Sequence, residues 1–197
     1  MSTSETTNKP LPPPHEVIVI SDYPEDEERL RQQCIDVRRA VFCAEQGFSV
    51  ALNTDENDAT ATHLLLRLTP SLTPIGTLRL YRVHDASYLM LGRVSILSVY
   101  RKYGLGKVLM QAAHERVVRE PYLIPPSPAV LQKSESIAKS GVDEELQSRP
   151  TITVKIGSQL YSEPFYARLG YTPEGNTYIE QGAPHQPMTI TLPIPTC

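Results

Sequence analysis

An apolar stretch that breaks into basic residues and two glycines before turning helical, GRVSILSVYRKYGLGKVLMQAAHE beginning at Gly92, constrains this chain more than any other feature. Strand, glycine-containing loop and helix in immediate succession put the loop at a helix N-terminus, where unsatisfied backbone N–H groups and the helix dipole favour an anion. Arg101, Lys102 and Lys107 add full positive charge there, and glycine lets backbone approach a ligand because no Cβ intervenes. The Walker pattern fails twice, since Arg101 stands where its first glycine belongs and Val108 follows Lys107 in place of Ser or Thr. The dinucleotide pattern GxGxxG fails at its third glycine, which here is Leu109. What survives is RxxGxG, formed by Arg101, Gly104 and Gly106. Two glycines also make an ordinary tight turn; the position after an apolar strand and the flanking cations favour a pyrophosphate.

A chain of 197 residues suits one domain with a sizeable core. A net charge of -3 with 21% charged residues leaves none of the basic excess that sequence-independent nucleic-acid binding requires. No apolar run reaches the roughly 18 residues of a membrane span, and the start MSTSETTNKP lacks the basic region and apolar core of a signal peptide. A cytoplasmic protein is expected, with the nucleus open to it and with neither nucleic acid nor membrane as partner. Cys34, Cys43 and Cys197 make neither a disulfide framework nor a zinc-ligand pair, so free thiols and no metal site are expected, the first two thiols packed.

Residues 1–14 are polar and then proline-rich and read as a flexible tail; residues 15–197 read as the folded domain. EVIVISD predicts a strand. From Pro24, the spacing of Leu30, Cys34, Val37 and Val41 predicts a helix to about Gln46, ended by Gly47. FSVALNTDENDATA reads as a loop, THLLLRLT and IGTLRLYRVH as a hairpin, and SYLMLGRVSIL as a further strand. A helix follows from Gly106 to about Arg119, with Leu109, Ala113 and Val117 on one face. Residues 121–150 read as a surface insertion with one short helix. TITVKIG predicts a strand, SEPFYARLG a short helix capped by Ser162, and GNTYIEQG and PMTITLPI two closing strands. The expected fold is α/β (α+β): one mixed, mostly antiparallel sheet flanked by helices.

At this point a resemblance becomes specific. The glycine stretch resembles the central motif of the GNAT superfamily of N-acetyltransferases, FYARLGY resembles its FYxxxGF segment, and VRRAVFCAEQGF, DENDATATHLLLRL and YIEQGAPHQPM resemble the ElaA-like and YjcF-like branch with its RxxVFxxEQ and xxGxPHxxM patterns. The resemblance spans about Glu16 to Leu192, apart from the insertion, which departs from the family's short connection. It implies acetyl-CoA as co-substrate and a small-molecule or peptide amine as acceptor, by direct transfer. Pantetheine would lie along Arg93, Val94, Ser95 and Ile96, and the pyrophosphate on Arg101, Lys102, Tyr103, Gly104, Leu105, Gly106 and Lys107, with Gln159 a further contact.

Such a reaction needs a base, because an alkylammonium with a pKa of about 10.4 must lose a proton before it attacks, and an acid for the departing thiolate. The matching acid is Tyr166, whose alternative role is packing; Glu45 and His63 match polar positions of the branch, with Glu45 the candidate base and a structural role the alternative for each. His185 in its terminal segment is expected to be solvated unless it lines the acceptor pocket. A covalent route through Cys43 is disfavoured, since only Arg39 stands at helical spacing to activate it. The alternative to an enzyme is an acetyl-CoA or CoA-binding module in which the insertion meets a protein partner. A longer acyl donor and a homodimer both stay open.

Overall fold

In the computed structural model, which describes residues 10–83, 86–120 and 150–195, the four apolar positions spaced for a helix after Pro24 are buried on one helical face. Helix α1 spans Glu27–Arg38 and runs directly into a π-helical segment, Arg39–Glu45. There Gln46 N–H reaches back five residues to the Val41 carbonyl at 3.1 Å, and Gly47 (φ +78°) ends the run. A step of four from Val37 to Val41 fits either geometry, so the change of pitch leaves no mark on the apolar spacing. Residues 1–9 and 121–149, and with them most of the expected tail and insertion, lie outside the described residues. Within the expected tail, Pro14 already offers its carbonyl to Thr69 N–H at 3.0 Å.

The chain divides into two compact units, Met1–Asp58, Thr62–Arg79 and Arg93–Gln111 in the first, and Ala59–Ala61, Leu80–Gly92 and Ala112–Cys197 in the second. In the first, β1 (His15–Val19) lies antiparallel to β2 (Thr62–Leu68), from His15 opposite Leu68 to Val19 opposite Leu64. Ile18, Ile20, Leu30, Cys34 and Leu65 form one buried cluster there. β3 (Pro74–Arg82) and β4 (Tyr88–Ile96) follow β2 in the sheet order and extend into the second unit. The run from His63 to Leu66 is buried at every position, which explains three consecutive leucines without alternation. Gly76 allows the chain to close up at this point: a Cβ there would stand 2.4 Å from Ile96 Cδ1 and 3.1 Å from the Ser95 carbonyl.

In the second unit β4 pairs parallel with β5 (Thr151–Gln159) from Tyr88 opposite Thr153 to Met90 opposite Lys155. β5 then lies antiparallel to β8 (Ala183–Pro193) along its whole length. β6 (Thr172–Pro173) and β7 (Tyr178–Glu180) both pair with β8. Ile152, Val154 and Ile156 turn one face of β5 inward, and Ala113, Val117, Tyr166, Tyr171 and Met188 complete that unit's interior. The helices are α2 (Ser98–Arg101), α3 (Leu105–Arg119) and α4 (Glu163–Ala167), and Leu109, Ala113 and Val117 are fully buried along α3. The architecture is mixed α/β on an eight-stranded, mostly antiparallel sheet, as expected.

Three local readings are corrected. Strand β1 ends at Val19 and gives way to a 3-10 turn, Ile20–Asp22. Ser162 stands at the N-cap of α4 but makes no side-chain capping hydrogen bond. Three strands, not two, close the chain, because β6 is only two residues long and leaves no readable alternation. Among the described residues no helix is long and apolar enough to cross a membrane.

Candidate active site

The glycine loop is built by short turns that consume most of its own backbone donors. Leu97 N–H is tied to the Ile75 carbonyl at 2.9 Å, Tyr103 N–H to Tyr100 at 3.2 Å, Gly104 N–H to Arg101 at 3.1 Å and Lys107 N–H to Gly104 at 3.0 Å. Gly104 holds φ +72°, where a side chain would be strained. Leu105 and Gly106 then open α3, and first-turn N–H groups have no acceptor within their own helix. Lys107 is exposed beside them, while the Lys102 ammonium sits 5.2 Å from the Tyr103 ring centroid.

Upstream, Arg93 holds φ +56°, a left-handed conformation that residues with a Cβ seldom adopt, directly after Gly92. Within the second unit the β4–β5 ladder ends at Met90 opposite Lys155, although β5 continues to Gln159. Backbone groups beyond that point on either strand are released from that pairing, the condition under which a ligand can take their place. Val94 is half-buried; Ser95 is buried, its hydroxyl donating to the Arg93 carbonyl at 3.1 Å; Ile96 is buried.

Arg101 and Glu45 meet across 56 residues of sequence. The guanidinium donates Nη1 to Glu45 Oε1 at 2.5 Å and Nη2 to Oε2 at 2.7 Å, while Nε donates to the Ile96 carbonyl at 2.9 Å. Glu45, the candidate base, therefore has both oxygens on an arginine, whose hydrogen bonds hold its carboxyl below the ordinary value. A carboxylate so stabilised is a weak proton acceptor toward an ammonium; it fixes the arginine that frames the loop. Glu45→Gln is accordingly expected to leave turnover within about tenfold of the parent, where loss of a general base costs about 10²-fold or more. Steady-state kinetics at saturating donor and acceptor check this.

The most heavily charged cluster was not singled out from the sequence. Arg79 grips Asp55 with two hydrogen bonds, 2.8 and 2.5 Å, and Asp58 at 2.8 Å; Arg38 reaches Asp58 at 2.7 Å, and Arg93 reaches Asp55 at 3.1 Å. Asp58 also accepts from Asp55 N–H at 2.9 Å. Burial works against both carboxylates, but the arginine contacts outweigh it and hold both below the usual carboxylate range. The network pins the loop DENDATATH to β3. Its only sequence trace is charge of both signs within motifs otherwise read for their apolar positions.

His63 closes this cluster. Its Nε2–H donates to the Asp58 carbonyl at 2.9 Å, and Nδ1 is buried without a partner among the described residues. Burial, with the Arg38 charge, pushes its pKa below the ordinary 6.5, and burial does the same for His114 in the second unit. This sealed ring is a packing group and cannot activate the half-buried thiol of Cys43. Cys34 is fully buried, and burial lifts its thiol to about 11.

A pH dependence follows. Both histidines bind protons more readily when unfolded, so stability is lost as pH falls below about 6.5 toward their folded values. The depressed Asp55 and Asp58 contribute stability above about 3.8 and lose it below. Urea unfolding from pH 8 down to 3 is expected to show two successive declines in that order; a flat profile down to pH 4 contradicts it.

In the second unit Tyr166 sits on α4, buried, its ring packed edge-on against Phe165 at 5.0 Å and Tyr171 at 5.9 Å. Burial raises its pKa, so the hydroxyl stays protonated at neutral pH. Tyr171 shares a 2.9 Å hydrogen bond with His114 Nε2. Gln159 ends β5 opposite His185. His185, expected in a solvated terminal segment, is instead a buried residue of β8, because that strand begins at Ala183 rather than near Pro187.

With this geometry in hand, known proteins supply the context. A family described as "Acetyltransferase (GNAT) domain" matches residues 137–192. A Bacillus subtilis (strain 168) protein named "Putative acetyltransferase BSU40680" is 30% identical over 157 residues, 78% of this chain and 84% of its own. A solved N-acetyltransferase-like structure from Lactobacillus plantarum is 26% identical with TM-score 0.63, covering 91% of this chain and 99% of that one. Two more distant structures share the fold: Escherichia coli ElaA (20% identity, TM-score 0.57, 89% and 97% covered) and an aminoglycoside 6'-N-acetyltransferase complexed with coenzyme A (16%, 0.56, 92% and 99%). The sequence motifs, the strand–loop–helix geometry and these likenesses converge, and the chain belongs to the GNAT acetyltransferase family.

Proposed function

We propose that this protein is an acyl-CoA-dependent N-acyltransferase, with acetyl-CoA as donor and an amine of a small molecule or peptide as acceptor. The observation that carries the reading is the loop itself: Gly104 in a left-handed turn leads into Leu105 and Gly106 at the start of α3, whose N–H groups have no acceptor within their own helix, with Lys107 alongside. That is a pyrophosphate-sized set of donors and charge. The β4 backbone beyond Met90, free of β5, supplies partners for the amides of pantetheine. Coenzyme A in a structural neighbour supports the donor class.

The chemistry asks the residues for three things. The acyl thioester must be held still, which the loop and strand do. The amine must become neutral before it attacks. The departing sulfur must be protonated or hydrogen bonded, and Tyr166, kept as a phenol by its burial, is the group the family resemblance assigns to that task. Incubation with acetyl-CoA and a mixed amine panel is expected to release CoA thiol. Tyr166→Phe is expected to lower turnover about 10²-fold with donor affinity nearly unchanged. No thiol release from any amine by the unaltered protein would contradict the reading.

A further inference from the structure

The left-handed residue of β4 is an arginine, although a glycine stands beside it. Gly92 is not among the residues with positive φ, and a Cβ there would meet nothing within 4 Å, whereas Arg93 holds φ +56°. A residue with a Cβ keeps such a conformation only where its surroundings impose it. Arg93 is held at both ends. Its carbonyl accepts from the hydroxyl of the buried Ser95 at 3.1 Å. Its side chain, 18% exposed, donates Nη2 to Asp55 Oδ2 at 3.1 Å, and its Nε is sealed from solvent without a partner among the described residues.

Asp55 is the fixed end of that grip. Arg79 on β3 donates Nη1 to its Oδ1 at 2.8 Å and Nη2 to its Oδ2 at 2.5 Å. Asn57 N–H donates to Oδ1 at 2.9 Å, and the Asp55 N–H itself goes to Asp58 Oδ2 at 2.9 Å. Asp58 is tied in turn to Arg38 at 2.7 Å. A carboxylate anchored this way cannot follow Arg93 if β4 moves, so the arginine has to stay where the carboxylate is. These residues, the stretch Arg93–Ile96 and the glycine loop all belong to the first compact unit.

We propose that Asp55 is a positioning residue for the donor: by holding Arg93 left-handed, it keeps the β4 backbone from Arg93 to Ile96 in the shape that receives pantetheine. The inference rests on the acyltransferase reading above. A left-handed residue interrupts the pleat of a strand and re-aims the peptide groups on either side of it. Without the ion pair the backbone relaxes toward the extended φ that a residue with a Cβ prefers, and those peptide groups turn with it. Asp55 touches no reacting atom in this role; its effect passes through the conformation at Arg93. The Ser95 hydroxyl on the Arg93 carbonyl, and Arg101 Nε on the Ile96 carbonyl at 2.9 Å, carry the same geometry on toward the glycine loop.

The probes are pantetheine, which reads the strand without the pyrophosphate, and CoA, whose pyrophosphate adds a constant contribution; the same ratios are expected with both in calorimetric titration of the full chain. The first comparison leaves Asp55 and Arg79 untouched. Arg93→Met and Arg93→Gly both remove the guanidinium, but only glycine takes a left-handed φ freely. Arg93→Gly is therefore expected to bind about tenfold more tightly than Arg93→Met, the reverse of what greater chain freedom alone would give. The second comparison uses Asp55→Asn, which offers an acceptor oxygen at one position in place of two. It is expected to weaken binding about tenfold on its own and less than about threefold when combined with Arg93→Gly, while the drop in urea midpoint from the damaged Arg79 pair persists in both. If Asp55→Asn does not fold, the Arg93 comparison decides by itself. Affinity of Arg93→Met equal to or above that of Arg93→Gly, or an Asp55→Asn loss of the same size in both backgrounds, overturns the proposal. An unaltered protein that binds neither probe sinks the acyltransferase reading and this inference together, whereas a binding parent with either overturning result sinks this inference alone.

Discussion

Arg79→Met should destabilise the protein by about 3 kcal/mol or more, because it takes from Asp55 its main counter-charge and leaves Asp58 to Arg38 alone in a largely buried cluster. The arginine side chain is 5% exposed and Asp58 9%, so water can do little to compensate at that end. Asp55, at 32%, is partly reachable, which keeps the expected loss at the lower end of the range for a broken buried pair. Methionine fills a similar volume, so the cost reads the charge rather than a cavity. The contrast is Glu16→Gln, which removes the partner of Arg67 in a pair whose acid is 39% exposed; about 0–1 kcal/mol is expected there. Urea midpoints at constant m-value separate the two. The same cluster ties down Arg93, so Arg79→Met should also weaken CoA binding, while Glu16→Gln should not.

Gly106→Leu should move stability and binding in opposite directions. Gly106 lies inside α3 and is not among the glycines with positive φ, so its backbone conformation suits a residue with a side chain. Glycine in a helix is worse than leucine by roughly 0.5–1 kcal/mol, and the unliganded protein should gain about that much. A side chain at this position would keep a pyrophosphate from the Leu105 and Gly106 N–H groups. Losing one or two charge-assisted hydrogen bonds of about 1.5–3 kcal/mol each implies roughly a 10²-fold drop in CoA affinity. A helix-stabilising substitution that abolishes binding is hard to explain by misfolding. Thermal unfolding without ligand and calorimetric titration with CoA measure the two halves separately.

The parts of the fold that sequence revealed are those with a local period. Leu30, Cys34, Val37 and Val41, and again Leu109, Ala113 and Val117, announce buried helical faces because the spacing is short-range, and all are buried. The glycine loop was legible for the same reason: strand, turn and helix occur in one uninterrupted stretch. What could not be read joins residues far apart in the chain. Glu45 and Arg101 are 56 positions apart, and Asp55 and Arg79 are 24 apart, so no spacing rule connects them. Arg38 is 1% exposed, against the general expectation for arginine, and only its pairing with Asp58 makes that burial tolerable. His185 was misplaced because the prolines at 184 and 187 obscure the start of β8, which carries them near its beginning. The site therefore has two layers. The glycine loop is a local motif, whereas the ion pairs of Arg101 and Arg93 are products of tertiary structure.

Calorimetric titration of the intact protein with CoA and, separately, with pantetheine, which lacks the pyrophosphate, tests the central claim most directly. If Gly104, Leu105, Gly106 and Lys107 form the pyrophosphate clamp, CoA should bind about 10²-fold or more tightly than pantetheine, and Gly106→Leu should erase most of that difference while leaving pantetheine affinity nearly unchanged. Equal affinity for the two ligands, or a CoA affinity indifferent to Gly106→Leu, would contradict it.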